Sequence, residues 1–171
     1  MSRFAGKEPG YIYSRFSNPT TAAAEKLIAS LEALGLKNKS VQLLELNAIL
    51  HASGQGALAT LCFSLLKTGD KIITNTSIYG GTQEFFSTVL TKMGIETVFI
   101  DLTNLDTVAY TLSKEKNIKL IHIETPANPT MACTDIHAIC SLAQQYSIKV
   151  SVDNTFATPY LQQPFAFGVD F

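Results

Sequence analysis

The sequence is short of net charge, of arginine and of paired cysteines, and each shortage excludes something. Its 171 residues carry a formal net charge of −1, so no excess of either sign draws the chain to nucleic acid or to an anionic membrane. Arginine occurs only near the start, at Arg3 and Arg15. Cys62, Cys133 and Cys140 are odd in number and have no paired spacing, which argues against a disulfide framework and against zinc or another metal site. No uninterrupted apolar stretch approaches the roughly 18 residues a membrane span needs. Met1-Ser2-Arg3-Phe4-Ala5-Gly6-Lys7 lacks the apolar core of a signal peptide. The expectation is a soluble protein of a reducing compartment, the cytoplasm.

What the chain does have is apolar content, 46%, enough for one globular domain with a real core. Asn18-Pro19-Thr20 predicts a helix start, with Asn18 as cap and Pro19 in the first turn. Leu27, Ile28, Leu31 and Leu34 follow at helical spacing, and Gly35 stops the run. Lys37–Ser40 reads as a polar connection, Leu43–Asn47 as a possible continuation of helix, and Ile49–Ala52 as a short strand. Ser53-Gly54-Gln55-Gly56 is then a tight loop feeding a helix over Ala57–Leu66. Strands are predicted over Lys71–Thr74, Glu96–Ile100, Lys119–Ile123 and Lys149–Val152, with helices over Thr82–Lys92, Asp106–Ser113 and Asp135–Tyr146 between them. Such alternation implies βαβ units and a mainly parallel sheet with helices on both faces.

The last strand ends abruptly in Asp153, at the edge where open α/β sheets bind ligands. A buried carboxylate there calls for a hydrogen-bonding or cationic partner, and the protonated ring nitrogen of a pyridine-type cofactor is one. Ser53-Gly54-Gln55-Gly56 fits a tight turn as well as an anion cradle at a helix start. It is not a P-loop, because no Gly-Lys-Ser/Thr follows, and no acid stands where a dinucleotide fold would hold a ribose. Tyr79, before Gly80 and Gly81, could stack on a flat ligand or pack locally. Asn128, in Glu124-Thr125-Pro126-Ala127-Asn128-Pro129-Thr130, could offer its amide to a ligand or cap a rigid turn. Arg15, beside Tyr13 on an extended arm, suits phosphate but equally suits solvent. His51, His122 and His137 are scattered, with no triad or metal partner in view, and read as structural.

Taken in order, these segments resemble the Cys/Met-metabolism family of pyridoxal-phosphate enzymes, which includes cystathionine γ-synthase, cystathionine γ-lyase, methionine γ-lyase and O-acetylhomoserine sulfhydrylase. The matching pieces are Tyr13-Ser14-Arg15 with Ser17-Asn18-Pro19-Thr20, Ser53-Gly54-Gln55-Gly56-Ala57, and Tyr79-Gly80-Gly81-Thr82. Glu124-Thr125-Pro126-Ala127-Asn128-Pro129, Val152-Asp153-Asn154-Thr155 and Thr158-Pro159-Tyr160-Leu161-Gln162 complete them. The resemblance implies the type I aminotransferase-like fold, with residues 1–18 as an arm remnant and 19–171 as part of the large cofactor-binding domain. It implies pyridoxal 5'-phosphate as cofactor, an amino-acid substrate, and a homodimer or homotetramer with shared sites.

By position, Asp153 would pair with the pyridine nitrogen. Tyr79 would stack on the ring and assist proton transfer, the one catalytic residue carried over. Gly54 and Gln55 would give N–H groups to the phosphate, Asn128 would bond the ring hydroxyl, and Thr155 would line the other ring face. Tyr13 and Arg15 would reach the phosphate of a neighbouring subunit. The implied activity is γ-elimination or γ-replacement on homoserine esters, cystathionine or methionine. An inactive fragment of the same family is the alternative, and another α/β nucleotide-binding module a more distant one.

The chain also departs from the family pattern. The Schiff-base lysine of these enzymes lies in a Ser-x-Thr-Lys motif beyond the Gly168-Val169-Asp170 equivalent, which is past Phe171, so the chain alone is expected to be inactive. Lys149 and Lys71 begin their strands at the opposite sheet edge, and four residues of strand place Lys149 about 13 Å from Asp153. Glu32 to Ser53 is longer than the pattern expects. Gln55 replaces a common Met, and Gly81 stands where methionine γ-lyases have a cysteine.

Overall fold

The computed structural model of the chain describes residues 2–36 and 46–171. The connection expected over Lys37–Ser40 and most of the helix expected over Leu43–Asn47 lie outside the described residues. Helix α1 (Pro19–Glu32) begins as the sequence dictates. Asn18 sits in extended backbone and its side chain accepts from the Thr21 amide at 2.9 Å, with Pro19 following. A single 3-10 turn, Ala33–Gly35, ends it. Its apolar positions do not enter a core, since Leu27, Ile28, Leu31 and Leu34 are exposed.

The strand expected over Ile49–Ala52 is absent. Ile49 and Leu50 are exposed, and the Leu50 amide donates to Glu25 Oε1 on α1 at 3.0 Å. A carboxylate takes the N–H that a sheet ladder would have used, and a four-residue apolar run carries no period to reveal that. A second correction follows at once. Ser53–Gly56 is no loop before the helix: α2 spans Gly54–Leu65, and Ser53 caps it, its Oγ accepting the Gly56 amide at 3.0 Å.

The sheet has four strands, β1 (Lys71–Asn75), β2 (Glu96–Ile100), β3 (Ile118–Glu124) and β4 (Lys149–Asp153). Their spatial order is β2-β1-β3-β4 and every pairing is parallel. Between them run α3 (Gly80–Glu84), which widens into a π-helical stretch at Phe85–Leu90, then α4 (Leu105–Lys114) and α5 (Ile136–Gln145). Asn104 caps α4 through the Thr107 amide, and Asp135 caps α5 through Ala138. Past β4, a short helix α6 (Thr158–Leu161) leads to Val169–Phe171. The Phe171 amide donates to the Val150 carbonyl at 3.2 Å and the Phe171 carbonyl accepts from the Val152 amide at 2.9 Å, tying the chain end to β4.

Strand residues alternate between two cores. Ile73, Ile121, Ile123 and Val150 pack with Val108, Leu112, Ile139 and Ala143 of α4 and α5. Ile72 and Leu120 pack with Leu58, Cys62, Phe86 and Leu90 of α2 and the α3 region. Both faces are covered, which is why the central strands read as continuous apolar runs. No helix among the described residues is long and apolar enough to cross a membrane.

Candidate functional site

Parallel strands bring all their carboxyl ends to one edge, and a cavity of about 320 Å³ opens there. Six residues singled out in the sequence line it: Gly54, Gln55, Tyr79, Asn128, Asp153 and Thr155. Glu124 lines it as well.

One wall is the start of α2. Ser53 satisfies the amides of Gly56 and Ala57 through its hydroxyl and its carbonyl. The amides of Gly54 and Gln55 precede the intrahelical ladder and have no partner among the described residues, which leaves them to an anion with the helix dipole behind them. A Cβ at Gly54 would meet nothing within 4 Å, so the approach to its backbone is open. Gln55 is held sideways, its Nε2 donating to the buried Thr82 Oγ1 at 3.0 Å.

A second wall is Tyr79, directly ahead of α3 and half exposed. Its ring is seated over Gly81, where a Cβ would stand 2.6 Å from Tyr79 Cε1. The third wall is the loop after β3. It is cross-braced by Ser77 Oγ against Thr130 Oγ1 at 3.0 Å and by Thr125 Oγ1, which accepts the Thr134 amide at 3.0 Å. Gln162 ties this loop to the one after β4, donating to the Thr125 carbonyl at 3.0 Å and to Asn154 Oδ1 at 2.8 Å.

Asp153 ends β4 and is half-buried. Its Oδ1 accepts both the amide and the hydroxyl of Thr155, at 3.0 and 2.5 Å. Oδ2 accepts no hydrogen bond among the described residues and is available to a cationic N–H. Beneath it, His122 is fully enclosed, its Nδ1 within 2.9 Å of Ser151 Oγ and its ring edge-on to Phe86. Burial pushes the His122 pKa down to about 4, outweighing the nearby Asp153 charge, which acts in the opposite direction. His122 is therefore a neutral structural residue.

Tyr13 and Arg15 do not line the cavity. Both are exposed, and the Arg15 guanidinium lies over the rings of Tyr13 and Phe16 at 5.2 and 5.5 Å. Glu124 is a titratable site residue that the sequence motifs left without a role. Its signal was present: an acid at the end of β3, in register with Asp153 at the end of β4. No lysine lines the cavity among the described residues. Lys71 and Lys149 sit at the far edge in ion pairs, as their strand positions predict.

The donor set fits pyridoxal phosphate. Two free amides at a helix start suit its phosphate, an accessible aromatic ring suits its flat face, and an unpartnered carboxylate oxygen suits a protonated ring nitrogen.

Comparison with known proteins agrees. The chain is 40% identical over 169 residues to an L-methionine gamma-lyase of Fusobacterium nucleatum subsp. polymorphum, covering 98% of this chain and 40% of that protein. It is 40% identical over 160 residues to cystathionine beta-lyase MetC of Bacillus subtilis, covering 94% and 37%. The fold matches that of a cystathionine gamma-lyase from Lactobacillus plantarum, solved with L-serine, at a TM-score of 0.84 and 39% identity over 95% of this chain and 39% of that one. It also matches a Campylobacter jejuni structure described as an O-acetylhomoserine (thiol)-lyase with N'-pyridoxyl-lysine-5'-monophosphate, at a TM-score of 0.83 and 36% identity over 99% and 39%. The chain thus spans about two fifths of the length of these relatives. With residues 1–171 matching the profile described as Cys/Met metabolism PLP-dependent enzyme, the chain belongs to that family, whose cofactor is pyridoxal 5'-phosphate.

Proposed function

We propose that this chain carries the cofactor-binding part of a pyridoxal-phosphate enzyme of sulfur amino-acid metabolism, acting by elimination or replacement at Cγ of homoserine esters, cystathionine or methionine. The observation that carries the reading is convergence. Side chains and amides from four separate loops, spread from Gly54 to Thr155, meet on one cavity. Bound there, the cofactor supplies an electron sink for charge developing on the amino-acid substrate.

The protein's share is binding and orientation. Gly54 and Gln55 hold the phosphate on their amides. Asp153 Oδ2 keeps the proton on the ring nitrogen, with Thr155 fixing the carboxylate through its other oxygen. Tyr79 would cover one ring face, and its hydroxyl would be the group to move a proton near the substrate. Asn128 bonds the ring hydroxyl, and Thr155 borders the opposite face. Tyr13 and Arg15, exposed and not lining their own cavity, would serve the phosphate of a second copy, so that the assembled site is shared between subunits.

The test is a pyridoxal-phosphate titration followed by difference absorbance, then borohydride and mass analysis. Saturable uptake is expected. With no lysine on the described cavity wall, the uptake should be reversible and leave the lysines unmodified. Absence of saturable uptake overturns the reading.

A further inference from the structure

We propose that Glu124 is the positioning residue of this cavity, a single buried carboxylate that clamps the Tyr79 wall to the Asn128 wall. Its ligand rests on the cofactor reading above, but its geometry does not. Glu124 is 5% exposed. Its Oε2 accepts the Tyr79 amide at 2.9 Å and its Oε1 accepts the Asn128 amide at 2.6 Å. One of these amides belongs to the loop after β1 and the other to the loop after β3, so two segments distant in sequence close on one side chain.

The residue type follows from that task. A carboxylate accepts at both oxygens and donates nothing, whereas glutamine offers one acceptor and one NH₂ group. In Glu124→Gln, one of the two amides would face another donor. An acid is therefore required where an amide of the same shape would fit. The two hydrogen bonds are charge-assisted, which offsets the burial of the carboxylate. Both partners are backbone, and none of the ion pairs among the described residues involves Glu124.

The base of the clamp is fixed independently. Glu124 is the last paired residue of β3, opposite Asp153. Its carbonyl accepts Asn75 Nδ2 of β1 at 3.3 Å, and the Thr125 amide reaches the Asp153 carbonyl of β4 at 3.4 Å. Three strands thus hold the backbone from which the carboxylate projects. Tyr79 is then set twice, at its amide by Glu124 and at its ring by the missing side chain of Gly81. The separation between ring-stacking and amide-bearing walls becomes a property of one residue.

The experiment uses the ¹⁵N-labelled full chain with pyridoxal phosphate as probe. In Glu124→Gln the amides of β1 and β3 should keep their shifts. The Tyr79 and Asn128 amide protons should move upfield and lose exchange protection, and the pyridoxal-phosphate Kd should rise about tenfold. Glu124→Asp, a shorter acid, should recover part of both losses. Unmoved Tyr79 and Asn128 resonances in Glu124→Gln would overturn the clamp, and so would moved resonances with unchanged affinity. Should Glu124→Gln fail to fold, exchange in the unaltered chain decides: slow exchange at both amides supports the clamp and rapid exchange at both sinks it. If the unaltered chain takes up no pyridoxal phosphate, the cofactor reading fails, while the amide shifts still decide the clamp.

Discussion

The two edges of the sheet are built from the same four strands and treat charge in opposite ways. At the amino edge, Lys71 meets Glu96 at 2.9 Å and Glu115 at 2.8 Å, and Lys149 meets Asp170 at 2.6 Å. Glu115, then Glu96, raise the pKa of Lys71 through hydrogen bonds. That edge closes on itself. At the carboxyl edge, Glu124 and Asp153 stand side by side across β3 and β4, and no ion pair among the described residues involves either. One carboxylate takes two backbone amides and the other keeps an oxygen open. Only the second Asp153 oxygen is left without a partner among the described residues, and the cofactor reading gives it the protonated ring nitrogen.

His122, midway along β3, sharpens the comparison because it feels only one edge. Its pKa of about 4 lies below the ordinary 6.5 of histidine. The unfolded chain therefore binds the extra proton first as pH falls. Stability from this group is fully present above pH 6.5, declines between pH 6.5 and 4, and is flat below. The full difference is roughly 3 kcal/mol. Urea unfolding across that range should show a steeper pH slope for the unaltered chain than for His122→Gln. Equal slopes would mean that His122 is not enclosed as described.

Asp153→Asn attacks the open edge directly. Asparagine keeps the Oδ1 acceptor for Thr155, so unfolding should change little. The charge that holds a proton on the ring nitrogen is lost, and a charge-assisted hydrogen bond contributes about 1.5–3 kcal/mol. Pyridoxal-phosphate affinity should then fall roughly ten- to a hundredfold, read by absorbance titration. An unchanged Kd would remove Asp153 from the site.

These contrasts were only partly legible in the sequence. Parallel strands covered on both faces produce unbroken apolar runs, so the strands predicted over Lys71–Thr74 and Lys119–Ile123 fall within β1 and β3, and Asp153, the acid ending the last run, stood out. Ile49–Ala52 misled because the Leu50 amide turned to a side chain on α1 rather than to a neighbouring strand. Nothing in Phe85–Leu90 announces a π-helical stretch. The functions of Glu124 and of the Thr155 hydroxyl were hidden for one shared reason. Each depends on a side chain meeting a particular amide or carboxylate, and in the case of Tyr79 that amide comes from 45 residues away. Motif order located the walls of the cavity, and only geometry showed what holds them.

Gly81→Ala tests the Tyr79 wall of the carboxyl edge. The added Cβ would stand 2.6 Å from the Tyr79 ring, inside any real contact. Because the ring is half exposed it can swing aside, so the fold should survive. The stacking surface would be displaced, and affinity should drop about three- to tenfold. Serine at the same position should do at least as much harm. If both variants bind as tightly as the unaltered chain, the ring seated over Gly81 is not the ring a ligand meets.

Lys71→Met should have the smallest effect, and that smallness is the sharpest statement about the two edges. Lys71 is itself partly buried, but its partners Glu96 and Glu115 are more exposed, and its attraction to them is screened there by water and salt. The urea midpoint should fall slightly at low ionic strength, and the difference should fade as salt is added. Pyridoxal-phosphate affinity should not change, because the amine stands at the strand start, a full strand length from Asn75 and the cavity. A loss of affinity comparable to that of Asp153→Asn would show that the edges are electrically coupled through the sheet. The division of labour between them would then be wrong.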